Sequence, residues 1–405
     1  MMYTKREVRR WAISLGGFFG LTGFMFSSWL GRLPAIRDHL EASTSQMSLL
    51  VLCPAVGSVI GFTIAARVID RISIRRSLWL WIMIQAVGII AATSLLWLGG
   101  PSVIAAGLVM VCYGMCFSMH DVAINVNGND AERASGKPLL PVLHAAFSFG
   151  GLLALVTCSI AERFAVAFPV HLGVVGVLVI ALSAVAIRQI PQETRETHPD
   201  ASTPDPSADT ARPQAVYRPW KSRRVLLLGL LAASIALAEG NANDWLSLSL
   251  VDEHGFSRGS AALTLSTYFA AMTLSRLTGT YLLYRFGRVP MLRVTSFCCA
   301  IGVFTVMISD IPAVTIIGVI AWGIGSSLGY PVALSAAGDN RATATRDVAT
   351  VAAIAYTTML LGPVLVGFLG EHVGLRWAFV PLLTIVLLGT LAIGAARPPK
   401  PVNAP

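Results

Sequence analysis

Two stretches of the sequence carry residues able to handle protons or bind a polar solute. The first runs from Cys112 to Gly151. Its opening apolar run holds His120, Asp121, Asn125 and Asn127; a short charged loop follows, and a second apolar run contains His144. Asn125 lies one helical turn after Asp121, so both occupy one face of a helix. At 1.5 Å per residue, Asp121 and His144 each sit about 10 Å inside the facing ends of their runs, at matching depth. Histidine changes charge near neutrality, and a carboxylate beside it can take up a proton on one side of a barrier and release it on the other. The second stretch is Glu239-Gly240-Asn241-Ala242-Asn243-Asp244-Trp245. Glycine and asparagine are poor helix-interior residues, so this run predicts a broken helix whose freed backbone groups line a cavity. Glu239 joins Asp121, Asn125 and His144 as a candidate proton or solute ligand. His120, Asn241, Asn243, Asp244, Tyr330 and Tyr356 are weaker candidates for the cavity wall.

These groups lie in hydrophobic surroundings. Of 405 residues, 55% are hydrophobic and 13% charged, against about 25% charged in a soluble domain. Ionisable groups within spanning segments are costly, and usually face a bundle interior or an aqueous cavity. Apolar runs long enough to span a bilayer fall at 11–30, 46–66, 77–98, 102–127, 139–161 and 166–187. They resume at 224–250, 259–283, 290–309, 312–336, 347–369 and 376–396. The expectation is an all-α membrane protein of twelve transmembrane helices in two six-helix bundles, residues 1–188 and 223–405. The intervening 189–222 is rich in Pro, Ser, Thr and charge, the composition of a flexible linker. The basic start followed by Trp11–Leu30 is too long for a signal peptide and lacks a small-residue cleavage site; it reads as the first span.

The net charge of +9 does not point to nucleic acid, because its distribution follows topology. Of the 30 Lys and Arg residues, 24 fall in the two terminal segments and alternate loops on one side, against five (Arg32, Arg37, Arg163, Arg258, Arg376) on the other. The positive-inside rule then makes both termini and the linker cytoplasmic, in a cell inner membrane. The six cysteines all lie in apolar runs, as small core residues do. Cys112, Cys116 and His120 fall short of a zinc ligand set, so neither metal nor cofactor is expected. No Walker motif, nucleophile elbow or H-E-x-x-H is present, and no catalytic residue is assigned.

The loop between the second and third runs contains Ala66, Asp70, Arg71, Ser73, Arg75 and Arg76. The loop between the eighth and ninth contains Tyr284, Arg285, Gly287 and Arg288. Both resemble the major facilitator superfamily signature G-x-L-x-D-R-x-G-R-K/R, which recurs at the corresponding place in two halves. The first copy has Ala66 and Ser73 where glycines are usual; the second has Tyr284 in place of the acid. The resemblance covers the whole chain and implies the major facilitator fold, alternating access and a monomer. It also implies a cytoplasmic gate in Asp70, Arg71, Arg75, Arg285 and Arg288, to which Arg276, near the cytoplasmic end of its span, is added.

The pattern H-D-V-A-I-N followed by L-H-A-A-F-S-F-G is similar to the fourth and fifth spans of the fucose/proton symporter branch. That resemblance implies a proton and sugar ligand at Asp121. The first span here lacks the acid of that branch, and His144 stands where the branch has an amide. The expected function is proton-coupled symport of a small polar molecule across the lipid bilayer. The alternative is a proton-driven exporter of a drug-like or metabolic product. The G-x-x-x-G-P pattern common in drug/proton antiporters is absent from the fifth span. An intramembrane enzyme built on His120, Asp121 and His144 fits the two-half pattern less well; a receptor that binds ligand without moving it is a third option.

Overall fold

A computed structural model describes residues 3–135, 139–191, 218–340 and 343–397. Among them there is no strand; the chain is a bundle of long helices. In the first half these are α1 (Lys5–Gly31), α2 (Leu33–Leu40), α3 (Thr44–Ile72), α4 (Ile74–Leu98), α5 (Ser102–Ser135), α6 (Leu140–Arg163) and α7 (Phe168–Ala186). In the second they are α8 (Arg223–Asn241), α9 (Ser247–Asp252), α10 (Arg258–Phe286), α11 (Arg288–Ile308), α12 (Pro312–Gly325), α13 (Gly329–Ala337), α14 (Ala344–Val373), α15 (Leu375–Ala378) and α16 (Val380–Ala392). Most of the expected linker, 192–217, lies outside the described residues.

Local sequence sets where the helices start and stop. Thr4 and Glu7 form a capping box at the start of α1, and Ser43 and Gln46 form one at the start of α3, each satisfying two otherwise orphaned backbone N–H groups. The two signature loops share a backbone conformation. Ser73, between α3 and α4, has φ 75° and ψ 150°; Gly287, between α10 and α11, has φ 83° and ψ 168°. That region suits glycine alone, which explains the glycine of the second copy. Ser73 holds the same turn under strain.

Eleven helical stretches among the described residues are long and apolar enough to cross a membrane. The twelfth expected span is α10, a helix of 29 residues. It falls short on composition because Ser, Thr and Arg276 are spread along it, and it is packed between α6 and α12. Close approach elsewhere relies on small residues. A side chain at Gly150 of α6 would run into the Gly20 carbonyl of α1. The halves meet along two helix pairs, α6 with α10 and α3 with α14. At the second of these Gly367 abuts Ser48.

Two corrections concern the shape of the spans. The seventh does not break at Glu239–Asp244: α8 continues into α9 through a π-helical turn at Ala242–Leu246. That turn absorbs the poor helix formers without freeing a length of backbone. The interruption lies in the tenth span, where α12 ends at Gly325 and α13 begins at Gly329, with Pro331 in its first turn. The run Gly-Ser-Ser-Leu-Gly-Tyr-Pro has weak helix formers at nearly every place and an imino acid that cannot donate.

Candidate functional site

The ends of α1, α7, α8 and α16 share one face of the bundle, joined by bonds from Ser14 Oγ to Ala186 O and from Arg224 Nε to Ala395 O. This terminal face opens onto a cavity of about 1030 Å³ between the halves. His144 and Ser148 of α6 form one wall; Glu239, Arg276, Tyr330 and Tyr356 contribute the other.

On the first wall, Asp121 and His144 meet through Asn125. The Asn125 amide donates to Asp121 Oδ1 at 3.1 Å and to the Asp121 carbonyl at 2.8 Å, while His144 Nε2 lies 3.1 Å from Asn125 Oδ1. The equal depths therefore hold, with an amide bridging the two titratable groups. Asn125 Oδ1 can only accept, so His144 Nε2 is the donor in this contact. Phe19 fixes the imidazole edge-on at 5.0 Å. His144 is the exposed end of the chain and Asp121 the half-buried end. Asp121 reaches Tyr330 and Tyr356 electrostatically, and His144 reaches Arg276. The two constellations recognised separately in the sequence thus face one space.

On the second wall, Arg276 Nη2 approaches both Glu239 oxygens, at 3.2 and 3.4 Å, and its Nε donates to Ser327 O at 3.3 Å. Ser327 lies in the interruption between α12 and α13, so the freed backbone at membrane depth holds the arginine. Ser275 and Ser327 hydroxyls pair at 2.7 Å beside it. Tyr330 and Tyr356 meet edge-to-face at 6.4 Å, and Tyr356 also touches Phe62 of the other half at 5.3 Å.

Several candidates are placed elsewhere. His120 is fully buried, its Nδ1 against Leu78 O at 3.1 Å and its ring near Phe18; it packs α5 on α4 and α1 and is not among the residues that line this cavity. Asn241 and Asn243 are also buried, the Asn241 amide bonding back to Leu237 O. Asp244 is half-buried in the π-helical turn and is not among the cavity-lining residues. Arg276 lines the cavity, its guanidinium held by the serine-rich break through Ser327 O.

The opposite, distal face is closed. Where α1 turns into α2, buried Arg32 donates to Glu162 at 2.6 Å and to Val166 O. Glu162 also accepts from Arg258 at 3.0 Å; Arg258 reaches Asp38 at 3.2 Å; Asp38 accepts from Arg37, and Arg37 pairs with Asp252. Six charges thus alternate in sign, and the Glu162–Arg258, Asp38–Arg258 and Arg37–Asp252 links join the two halves. The sequence reading treated Arg32, Arg37 and Arg258 as topology markers and missed this seal. Its only signal was that acids share those loops.

Comparison with known proteins agrees with this architecture. The family model of the Major Facilitator Superfamily matches residues 228–405. An uncharacterized transporter of Sinorhizobium fredii is 28% identical over 376 residues, 93% of this chain and 95% of that protein. An uncharacterized MFS-type transporter of Yersinia pestis is 27% identical, covering 89% of each. Among solved structures, a mutant of the nucleoside transporter NupG superposes with a TM-score of 0.75 at 15% identity, covering 95% of this chain and 99% of that one. A D-xylose-proton symporter gives 0.74 at 14%, covering 94% and 96%. The chain has the major facilitator fold, and its second half matches the superfamily's model.

The second signature loop lies at the mouth of the cavity. Arg288 donates to both oxygens of Asp339 at 2.9 Å and to Ser335 Oγ, and Arg224 shares the same aspartate. These contacts stay within the second half. Arg285 is exposed, its guanidinium 5.8 Å from the Phe286 ring. Arg71 is exposed and Arg75 half-buried; the side chain of Asp70 lies outside the described residues. The ion pairs described between the halves are on the distal face, as suits a cavity open to the terminal side.

Proposed function

We propose that this major facilitator chain is a proton-coupled symporter that carries a small polar solute by alternating access, as a monomer of two six-helix units (1–188 and 223–405) joined by a linker (189–222). Asp121, Asn125 and His144 form its proton and solute site, with Glu239 on the facing wall. The carrying observation is the hydrogen-bonded series Asp121–Asn125–His144, which begins half-buried in α5 and ends in the cavity. A proton on the aspartate changes what Asn125 can donate to, and hence what the imidazole presents to a solute. Proton and solute then stabilise the same occupied state, which is the requirement for coupled movement.

The excess of basic residues on the terminal face supports reading that face as the cytoplasmic one in a cell's inner membrane. The cavity is then inward-open, and Asp70, Arg71, Arg75, Arg285 and Arg288 form the gate that closes it. The test is proton flux in proteoliposomes on addition of sugars, polyols and small organic acids. Solute-dependent proton movement into the lumen supports the reading. Gradient-driven dye or drug expulsion, with no solute-dependent uptake, assigns the chain to export.

A further inference from the structure

We propose that Arg276 anchors a carboxylate of the transported solute, which is therefore a small hydroxylated organic anion, and that Glu239 is the internal carboxylate this anion replaces. The inference rests on the transport reading above and names its substrate class.

An arginine at membrane depth needs a counter-charge, and Arg276 has a loose one. Both Glu239 contacts use the same nitrogen, Nη2, at 3.2 and 3.4 Å. Charge-assisted N–H···O bonds are commonly about 2.7–2.9 Å, and guanidinium–carboxylate pairs favour two parallel bonds. Nε is already held by Ser327 O, and Nη1 has no acceptor among the described residues. The Nη1–Nη2 edge is thus the fork that fits a carboxylate, and it belongs to a side chain 33% exposed in the cavity wall. The hydroxyls of Ser148, Thr273, Tyr330 and Tyr356 and the His144 ring line the same cavity, a set suited to the hydroxyls of a polar anion. At the mouth, Arg224 and Arg288 share the single carboxylate of Asp339, leaving an excess positive charge that draws anions in.

The pair also supplies a second station for the single coupled proton, which passes between Asp121 and Glu239 across the cavity. When Glu239 takes a proton, Arg276 loses its counter-charge, and an uncompensated buried charge is strongly unfavourable. A solute carboxylate on the open edge restores neutrality, so proton and anion bind cooperatively, one of each, with no net charge added. The charged and titratable groups around Glu239 are Arg276 and Tyr268 on α10, Tyr330 on α13 and Tyr356 on α14, with His144 and Asp121 across the cavity.

The test uses the full chain in proteoliposomes under an inward proton gradient. Gluconate and galacturonate are compared with their uncharged parents glucose and galactose. The expected result is uptake of the two acids with one proton each and no uptake of the parents. Arg276→Gln raises the half-saturating gluconate concentration roughly 10- to 100-fold, the loss of a charge-assisted hydrogen bond. Glu239→Gln still binds gluconate, read as a thermal shift, with no accompanying proton uptake. If Arg276→Gln is not recovered folded, the Glu239→Gln result decides alone. Proton-coupled uptake of glucose or galactose, unchanged by Arg276→Gln, overturns the anion assignment and leaves the transport reading standing. Failure of all four solutes to move under any gradient overturns this assignment, and uptake of other solutes then decides the transport reading separately.

Discussion

At the scale of single residues, the decisive feature is that an amide separates the two titratable groups. Asn125 offers its NH2 to Asp121 and its oxygen to His144, so its orientation reports the state of one to the other. Asn125→Leu keeps the volume and removes both bonds. It is expected to lower proton-driven accumulation by roughly tenfold or more, given about 1–3 kcal/mol for each orphaned polar partner. Solute exchange without a gradient should persist, and counterflow with labelled solute measures it. Retained accumulation would show that Asn125 is a packing residue. The sequence revealed the common depth of Asp121 and His144 because helical rise is constant. It did not reveal that His120 turns away, since adjacent residues point about 100° apart on a helix and the rotation of α5 is set by its neighbours.

At the scale of elements, one rule meets different outcomes in two spans. Weak helix formers cluster in both the seventh and the tenth, yet only the tenth is interrupted. In the seventh, Asn241 bonds its own preceding turn and Trp245 donates to Pro363 O, so side chains hold the helix together through the π-helical turn. Propensity marks where a helix can yield; tertiary contacts decide whether it does. The signature loop gives a sharper test. Ser73 stands in a backbone region that its counterpart Gly287 occupies freely. Ser73→Gly should therefore stabilise the protein by about 1 kcal/mol or more, offset in part by the added freedom of the unfolded chain. Gly287→Ala should destabilise it. Thermal unfolding in detergent, followed by tryptophan fluorescence, measures both. An unchanged or lowered midpoint for Ser73→Gly would contradict the proposed strain.

At the scale of the whole molecule, the two faces are held differently. The distal seal is a series of alternating charges across the halves, backed by the close approach of Gly367 to Ser48. Arg258 serves two of its three cross-links and is 44% exposed, whereas Arg32 beneath it is almost wholly buried. Arg258→Ala should shift the population toward a distally open state. In a cysteine-free background, a cysteine at Ser48 should then react faster with an impermeant maleimide added from the distal side. High salt should act in the same direction on the native protein, because exposed pairs are screened, while the Arg32–Glu162 pair holds. No change in reactivity under either treatment would assign the seal to helix packing alone. The two-half plan was readable from hydropathy. The pairing of the distal charges was not, because it depends on how the halves meet.

The central claim is that Asp121 couples proton to solute, and Asp121→Asn tests it most directly. The substitution preserves size and a hydrogen-bonding oxygen while removing the titratable group. With any solute that drives protons into proteoliposomes through the native chain, the account predicts that Asp121→Asn abolishes solute-driven proton flux while leaving solute counterflow measurable. Proton flux of native size in Asp121→Asn would contradict it and leave Glu239 as the sole carrier of the coupled proton.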